Sequence, residues 1–96
     1  MSPFKRKKLA KIRFELDKLD NLLIKVIKKR TNLVKKILNL KDKKKQIVDK
    51  KRIQTILKNI RKKSLKNNID PRITNRIWKN MIWSYIDFER RNFKKK

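Results

Sequence analysis

The sequence predicts an all-α protein that forms one small domain over residues 1–96, and three observations lead to this prediction. The chain contains no Gly, so the favoured two-residue hairpin turns are absent. Its apolar residues recur mostly three or four positions apart, which is the period of an amphipathic helix. Its 96 residues are enough for a single core and no more.

The first predicted helix runs from about Pro3 to about Leu40. Ser2 is a typical N-cap, and Pro3 suits the first helical position. Spacings of three and four then alternate without a break, which indicates a long helix that pairs with another helix. The stripe consists of Leu9, Ile12, Leu16, Leu19, Leu23, Val26, Arg30, Leu33, Ile37 and Leu40.

Two shorter helices are predicted after a charged loop at residues 41–46. The second helix covers roughly residues 49–66, with Asp49 as its N-cap. The third begins with Asp70 as N-cap and Pro71 at the first position. Residues 94–96 are expected to form a frayed tail. The apolar face of the third helix is predicted to be Ile73, Ile77, Trp78, Met81, Ile82, Tyr85 and Ile86.

The length of the first helix requires a partner chain. About 38 residues at 1.5 Å each make a rod of about 57 Å. A compact globule of this size has a radius of gyration of only about 12 Å. The two shorter helices cannot cover the whole rod, so we expect an intertwined homodimer in which the long helices pair or interlock.

Composition excludes several classes of function. The chain has no Cys and no His, which removes disulfide frameworks, thiol nucleophiles, His-containing triads and the usual zinc sites. No metal or other cofactor is expected. No apolar run approaches the ~20 residues that span a bilayer, and no signal-peptide pattern is present, so we expect a cytoplasmic protein.

The net charge of +25 has two interpretations. One is a basic helical dimer that binds nucleic acid. The other is a solvated surface set by A+T-rich codons, since Lys, Ile and Asn make up 46 of the 96 residues. The nucleic-acid interpretation does not explain why Arg30 and Glu89 stand on apolar faces, so it is the less favoured of the two. The basic runs available for phosphate contacts are residues 5–8, 43–45 and 94–96.

Several charged residues lie on or beside the predicted apolar faces. Arg30 occupies a stripe position, and Lys41, 11 residues later, returns to within about 20° of the same face. Arg52 flanks the stripe of the second helix, and Glu89 continues that of the third. Because an unpaired buried Arg is unfavourable, Arg30 either pairs with an acid across the dimer or binds an anion.

Arg13 flanks the stripe near the start of the first helix. It lies roughly 26 Å from Arg30 along that helix, so it could join Arg30 only from the second subunit. The cations and the single acid could then enclose a small molecule with several negative charges. Arg suits carboxylates because its planar fork binds them through two hydrogen bonds.

These polar positions resemble the all-helical class (type II) of chorismate mutases over roughly residues 9–93. The resemblance implies an isomerase that converts chorismate to prephenate in phenylalanine and tyrosine biosynthesis, without a cofactor. The residues that carry it are Arg13, Leu19-Asp20, Leu22-Leu23, Arg30 and Lys41, then Val48-Asp49-Lys50-Lys51-Arg52, and finally Ile69-Asp70-Pro71, Tyr85 and Glu89.

The resemblance also implies how the substrate is held. Arg30 and Arg13 of the partner subunit would bind its two carboxylates. Arg52 would orient the site, and Asp49 would contact the hydroxyl region of the substrate. Tyr85 stands where the family places a small or aromatic residue.

Lys41 and Glu89 would act at the ether oxygen of the substrate, where negative charge develops. Lys41 would donate a hydrogen bond to this oxygen and to a carboxylate, and Glu89 would be the second donor. Many family members have Gln at the position of Glu89. An ionised Glu cannot donate, so this role predicts activity that falls as the pH rises and Glu89 loses its proton.

Ile53 departs from the family pattern, which usually has a Glu there to accept a bond from the ring hydroxyl. An apolar residue at this position, like the Tyr85-Ile86 pair, resembles the isochorismate pyruvate lyases, which form salicylate and pyruvate. Asp49 could accept the hydrogen bond from this hydroxyl instead. We prefer the mutase because aromatic amino-acid synthesis is the more general need, and the lyase is the alternative.

Overall fold

The computed structural model describes residues 1–94, which form three α-helices joined by short connections, with no strand among them. Helix α1 is Pro3–Leu40, α2 is Lys50–Lys66 and α3 is Pro71–Asn92. A single 3-10 turn, Lys44–Gln46, lies within the predicted charged loop. The all-α class and the three helices are confirmed, whereas the homodimer stays a prediction. Residues 95 and 96 of the predicted tail lie outside the described part.

The helices begin at the predicted caps. The Ser2 hydroxyl accepts a hydrogen bond from the backbone N–H of Lys5 at 3.2 Å. The side chain of Asp49 accepts from the N–H of Arg52 at 2.9 Å, and Asp70 caps α3 in the same way, with Pro71 in its first turn. Each cap satisfies an N–H that the helix itself leaves unpaired, an effect of about 1 kcal/mol.

The connection between α2 and α3 reverses the chain without Gly. Asn68 adopts φ 56°, in the left-handed region that Asn tolerates better than most residues. The N–H of Asn68 donates to the Leu65 carbonyl at 3.3 Å, and that of Ile69 donates to the Ser64 carbonyl at 2.9 Å. This pair of bonds is a Schellman motif, which ends α2 and turns the chain toward α3.

The chain divides into two units, residues 1–33 and residues 34–96, and each is described by itself. The first unit consists mostly of α1 and leaves its apolar stripe open. Leu16, Leu19, Leu23 and Leu33 are each between 53% and 59% exposed. These side chains are the ones that the expected second chain would cover. No helix among the described residues is long and apolar enough to cross a membrane.

The second unit has a small core formed by the end of α1, the loop, α2 and α3. Its buried apolar side chains are Leu38, Ile47, Ile82 and Ile86. At the start of the predicted face of α3, Ile73 and Ile77 are about half exposed in the single chain, so this part of the face stays a prediction. Thr74 is buried, and its hydroxyl contacts that of Ser64 on α2 at 2.6 Å, which turns this side of α3 toward α2.

Candidate active site

Lys41 follows α1 directly and reaches across the second unit to α3. Its Nζ donates a hydrogen bond to Oε2 of Glu89 at 2.8 Å and lies 3.5 Å from the carbonyl oxygen of Ile47. The side chains of Lys41 and Glu89 are 18% and 8% exposed, so water screens this ion pair poorly. Two residues that were predicted to share a site are therefore in direct contact.

The burial of Glu89 needs an explanation, because α3 buries it on the same side as Ile82 and Ile86. Moving a carboxylate out of water is unfavourable unless the charge is paired and hydrogen-bonded. Lys41 supplies the pairing. Well-packed apolar side chains at both positions together would often be as stable as the pair or more so, so stability alone is a weak reason for it. The arrangement favours a functional role.

The loop that carries Lys41 is closed by a residue that the sequence analysis did not single out. The Oε1 atom of Gln46 accepts hydrogen bonds from the backbone N–H groups of Asp42 and Lys43, both at 2.8 Å. Ile47, which follows, is buried and anchors the loop in the core. A Gln three residues after a turn begins is the spacing of a capping box, and this signal could have identified Gln46.

The start of α2 carries three further predicted residues. Asp49 and Arg52 are exposed, and the carboxylate of Asp49 caps the helix through the N–H of Arg52. Ile53 is half-buried and packs against the core of the second unit. Asp49 and Ile53 therefore have structural roles that do not depend on a ligand.

Tyr85 lies on α3 one turn before Glu89, and it is half-buried. The helical period places Tyr85 and Glu89 on one side of α3, since residues four apart are neighbours on a helix. A ring at this position can flank a ligand that reaches the Lys41–Glu89 pair.

Arg13 and Arg30 lie in the first unit. Arg13 is exposed on α1, whereas Arg30 is half-buried. The Nε of Arg30 is buried and has no hydrogen-bond partner among the described residues. Leaving a buried donor unpaired costs about 1–3 kcal/mol, more for a charged group. Such a donor fits the predicted anion ligand, and a carboxylate is the group that a guanidinium binds best.

Comparison with known protein families adds an independent finding. The family model described as chorismate mutase type II matches residues 12–90. The matched stretch contains most of α1, all of α2 and nearly all of α3, and it includes every predicted site residue. No curated protein and no solved structure matches the chain significantly.

Proposed function

Because the chain belongs to the chorismate mutase type II family, we propose that it rearranges chorismate to prephenate as a cytoplasmic homodimer without a cofactor. Family membership supports chorismate mutase-type activity, and the Lys41–Glu89 pair, whose carboxylate is buried, is the observation that carries the finer proposal. The reaction is pericyclic and needs no nucleophile, so a chain without His or Cys can perform it.

Lys41 is proposed to stabilise the negative charge that develops on the ether oxygen. An ammonium group has three N–H donors. One points to Glu89 and a second faces the Ile47 carbonyl, which leaves the third for the substrate. Because these two acceptors already fix the ammonium, little reorganisation is needed when charge develops, and this is the condition for effective electrostatic catalysis.

Glu89 has two possible roles, which depend on its proton. The ionised carboxylate accepts from Lys41 and holds the ammonium in place. The protonated carboxyl can also donate, and it would then be the second donor to the ether oxygen. We propose that Glu89 acts as this second donor when the substrate is bound.

The substrate carboxylates are assigned to Arg30 and to Arg13 of the partner subunit. The buried, unpaired Nε of Arg30 supports its part in this assignment. Arg52 is proposed to orient the bound molecule, while Asp49 and Tyr85 contact its ring. Holding the two carboxylates would select the compact conformer in which the reacting carbons are close.

The isochorismate pyruvate lyase reaction is the second candidate, and the start of α2 favours it. Ile53 offers no hydrogen-bond acceptor to a ring hydroxyl. The carboxylate of Asp49, the proposed substitute, is held at the N-cap, where its Oδ1 accepts the N–H of Arg52 at 2.9 Å, and only its Oδ2 remains for a hydroxyl. A substrate with its hydroxyl elsewhere on the ring would not need this acceptor.

Supplying the purified protein with chorismate and isochorismate in separate reactions distinguishes the two activities. Prephenate from chorismate is the expected product, and salicylate from isochorismate alone would assign the lyase. Arg30→Ala should abolish turnover, whereas Lys7→Ala, on the same helix and exposed, should leave it unchanged. Failure of the wild-type protein to convert either substrate would refute the proposal.

A further inference from the structure

Helix α2 presents a cationic face that no acidic residue of the helix neutralises. The helix contains eight Lys or Arg residues and no Asp or Glu, and all eight cations are exposed. Each ion pair found among the described residues lies outside α2. Like charges three or four positions apart on a helix repel each other, as Lys58 and Lys62 do. An anion on this face would relieve that repulsion.

Two of these cations, Lys58 and Arg61, border a groove of about 430 Å³ between α2 and α3. On the opposite wall, Arg72 is held by both carboxylate oxygens of Asp70, at 3.2 and 3.1 Å. Arg72 is therefore paired and partly neutralised, while Lys58 and Arg61 have no acidic partner among the described residues. The groove is completed by Leu57, Pro71 and Asn75.

We propose that this groove and the adjoining cations of α2 bind the phosphate backbone of a nucleic acid. Lys51, Lys58 and Lys62 lie within about 40° of one another around the helix. They extend over about 16 Å, a length over which one strand of duplex DNA carries about five phosphates. A single small anion could occupy the groove but could not contact cations along this whole length.

This surface differs from the candidate active site and from the basic runs noted in the sequence. None of the groove residues is a proposed substrate ligand. The runs at residues 5–8 and 43–45 lie outside both walls of the groove. A surface charge set by codon composition alone would bind polyanions equally everywhere, whereas the groove predicts that binding is localised.

The test measures fluorescence anisotropy of a labelled oligonucleotide of about 20 nucleotides, single-stranded and duplex, at several salt concentrations. The variant K58Q/R61Q should weaken binding. The slope of log K against log salt, which is negative, should become smaller in magnitude by about two, one for each lost phosphate contact. The control K7Q/K11Q removes the same charge from exposed positions of α1 and should leave the slope unchanged.

Three further measurements keep the result unambiguous. K58R/R61K retains both charges and should bind like the wild type, and K58Q/R61Q should still form prephenate at the wild-type rate.

Equal losses of oligonucleotide affinity in K58Q/R61Q and K7Q/K11Q would show diffuse attraction and overturn the proposal. Inorganic pyrophosphate that binds as tightly as the oligonucleotide would also overturn it, in favour of a small-anion site. No chorismate is present in the binding assay, so its outcome is independent of the proposed enzyme activity.

Discussion

Lys41 and Glu89 are 48 positions apart in the sequence, yet Nζ of Lys41 lies 2.8 Å from Oε2 of Glu89. The pair connects the residue after α1 to the last buried position of α3. Its members are charged where the surrounding side chains are apolar, which costs desolvation energy in the folded state. A protein selected only for stability has little reason to keep both charges there.

Lys41→Ala tests the proposed role of the ammonium group. We expect kcat for prephenate formation to fall by about 10²–10³, the usual cost of removing one preorganised donor. The matched control is Lys43→Ala, in the same loop but exposed, which should keep the wild-type kcat. Because Lys41→Ala also leaves Glu89 without its partner, urea unfolding must show a folded protein at the assay temperature. A folded Lys41→Ala variant with normal kcat would contradict the mechanism.

Glu89→Gln separates the two roles of the carboxyl group. The Gln amide donates a hydrogen bond at every pH, whereas Glu89 donates only when protonated. We therefore expect Glu89→Gln to keep kcat at or above the wild-type value, whereas Glu89→Leu, which can neither donate nor accept, should lower kcat by about 10²–10³. Asp87→Asn, two residues earlier and exposed, should keep the wild-type kcat. A Glu89→Gln variant as inactive as Glu89→Leu would exclude the role as donor.

Gln46→Leu tests whether the loop positions Lys41. The change removes the acceptor of two backbone N–H groups, so the loop should loosen and kcat should fall by about tenfold or more, since small misplacements in an active site are costly. Gln46→Glu keeps an oxygen that accepts both bonds and should retain most of the activity. Steady-state kinetics of the two variants measure kcat for prephenate formation. Equal activities would mean that Gln46 does not position Lys41.

Features that depend on neighbouring residues could be predicted from the sequence, whereas those set by distant contacts could not. Asp49 and Asp70 were identified as caps because each bonds an N–H two or three residues away. The helical period placed Glu89 on the buried side of α3. The burial of Thr74 could not be predicted, because the hydroxyl contact between Ser64 and Thr74, which joins two helices, leaves no periodic signal.

Arg30→Leu distinguishes a substrate ligand from a structural residue. The change removes a buried donor without a partner, so the free energy of unfolding should stay the same or rise by about 1 kcal/mol. Activity should be lost, because the carboxylate of the substrate loses its guanidinium. Chemical denaturation and kcat/KM are measured on the same preparation. Retained turnover would remove Arg30 from the site, and a loss of stability above about 2 kcal/mol would point to a structural ion pair.

Asp70 predicts a pH dependence of stability that does not involve the active site. Hydrogen bonds from the Arg72 side chain, and then from its backbone N–H, lower the pKa of Asp70 below its ordinary value of 3.8. Since the pKa of Asp70 is lower in the folded state than in the unfolded state, the ionised carboxylate stabilises the fold fully above pH 3.8, and this contribution is lost as the pH falls through the folded pKa.

Asn at position 70 still caps α3 but does not titrate. The stability difference between wild type and Asp70→Asn, measured by urea unfolding, should therefore be constant from pH 5 to 7 and shrink below about pH 4. A difference that grows on acidification would mean that the Arg72 contacts do not favour the ionised form.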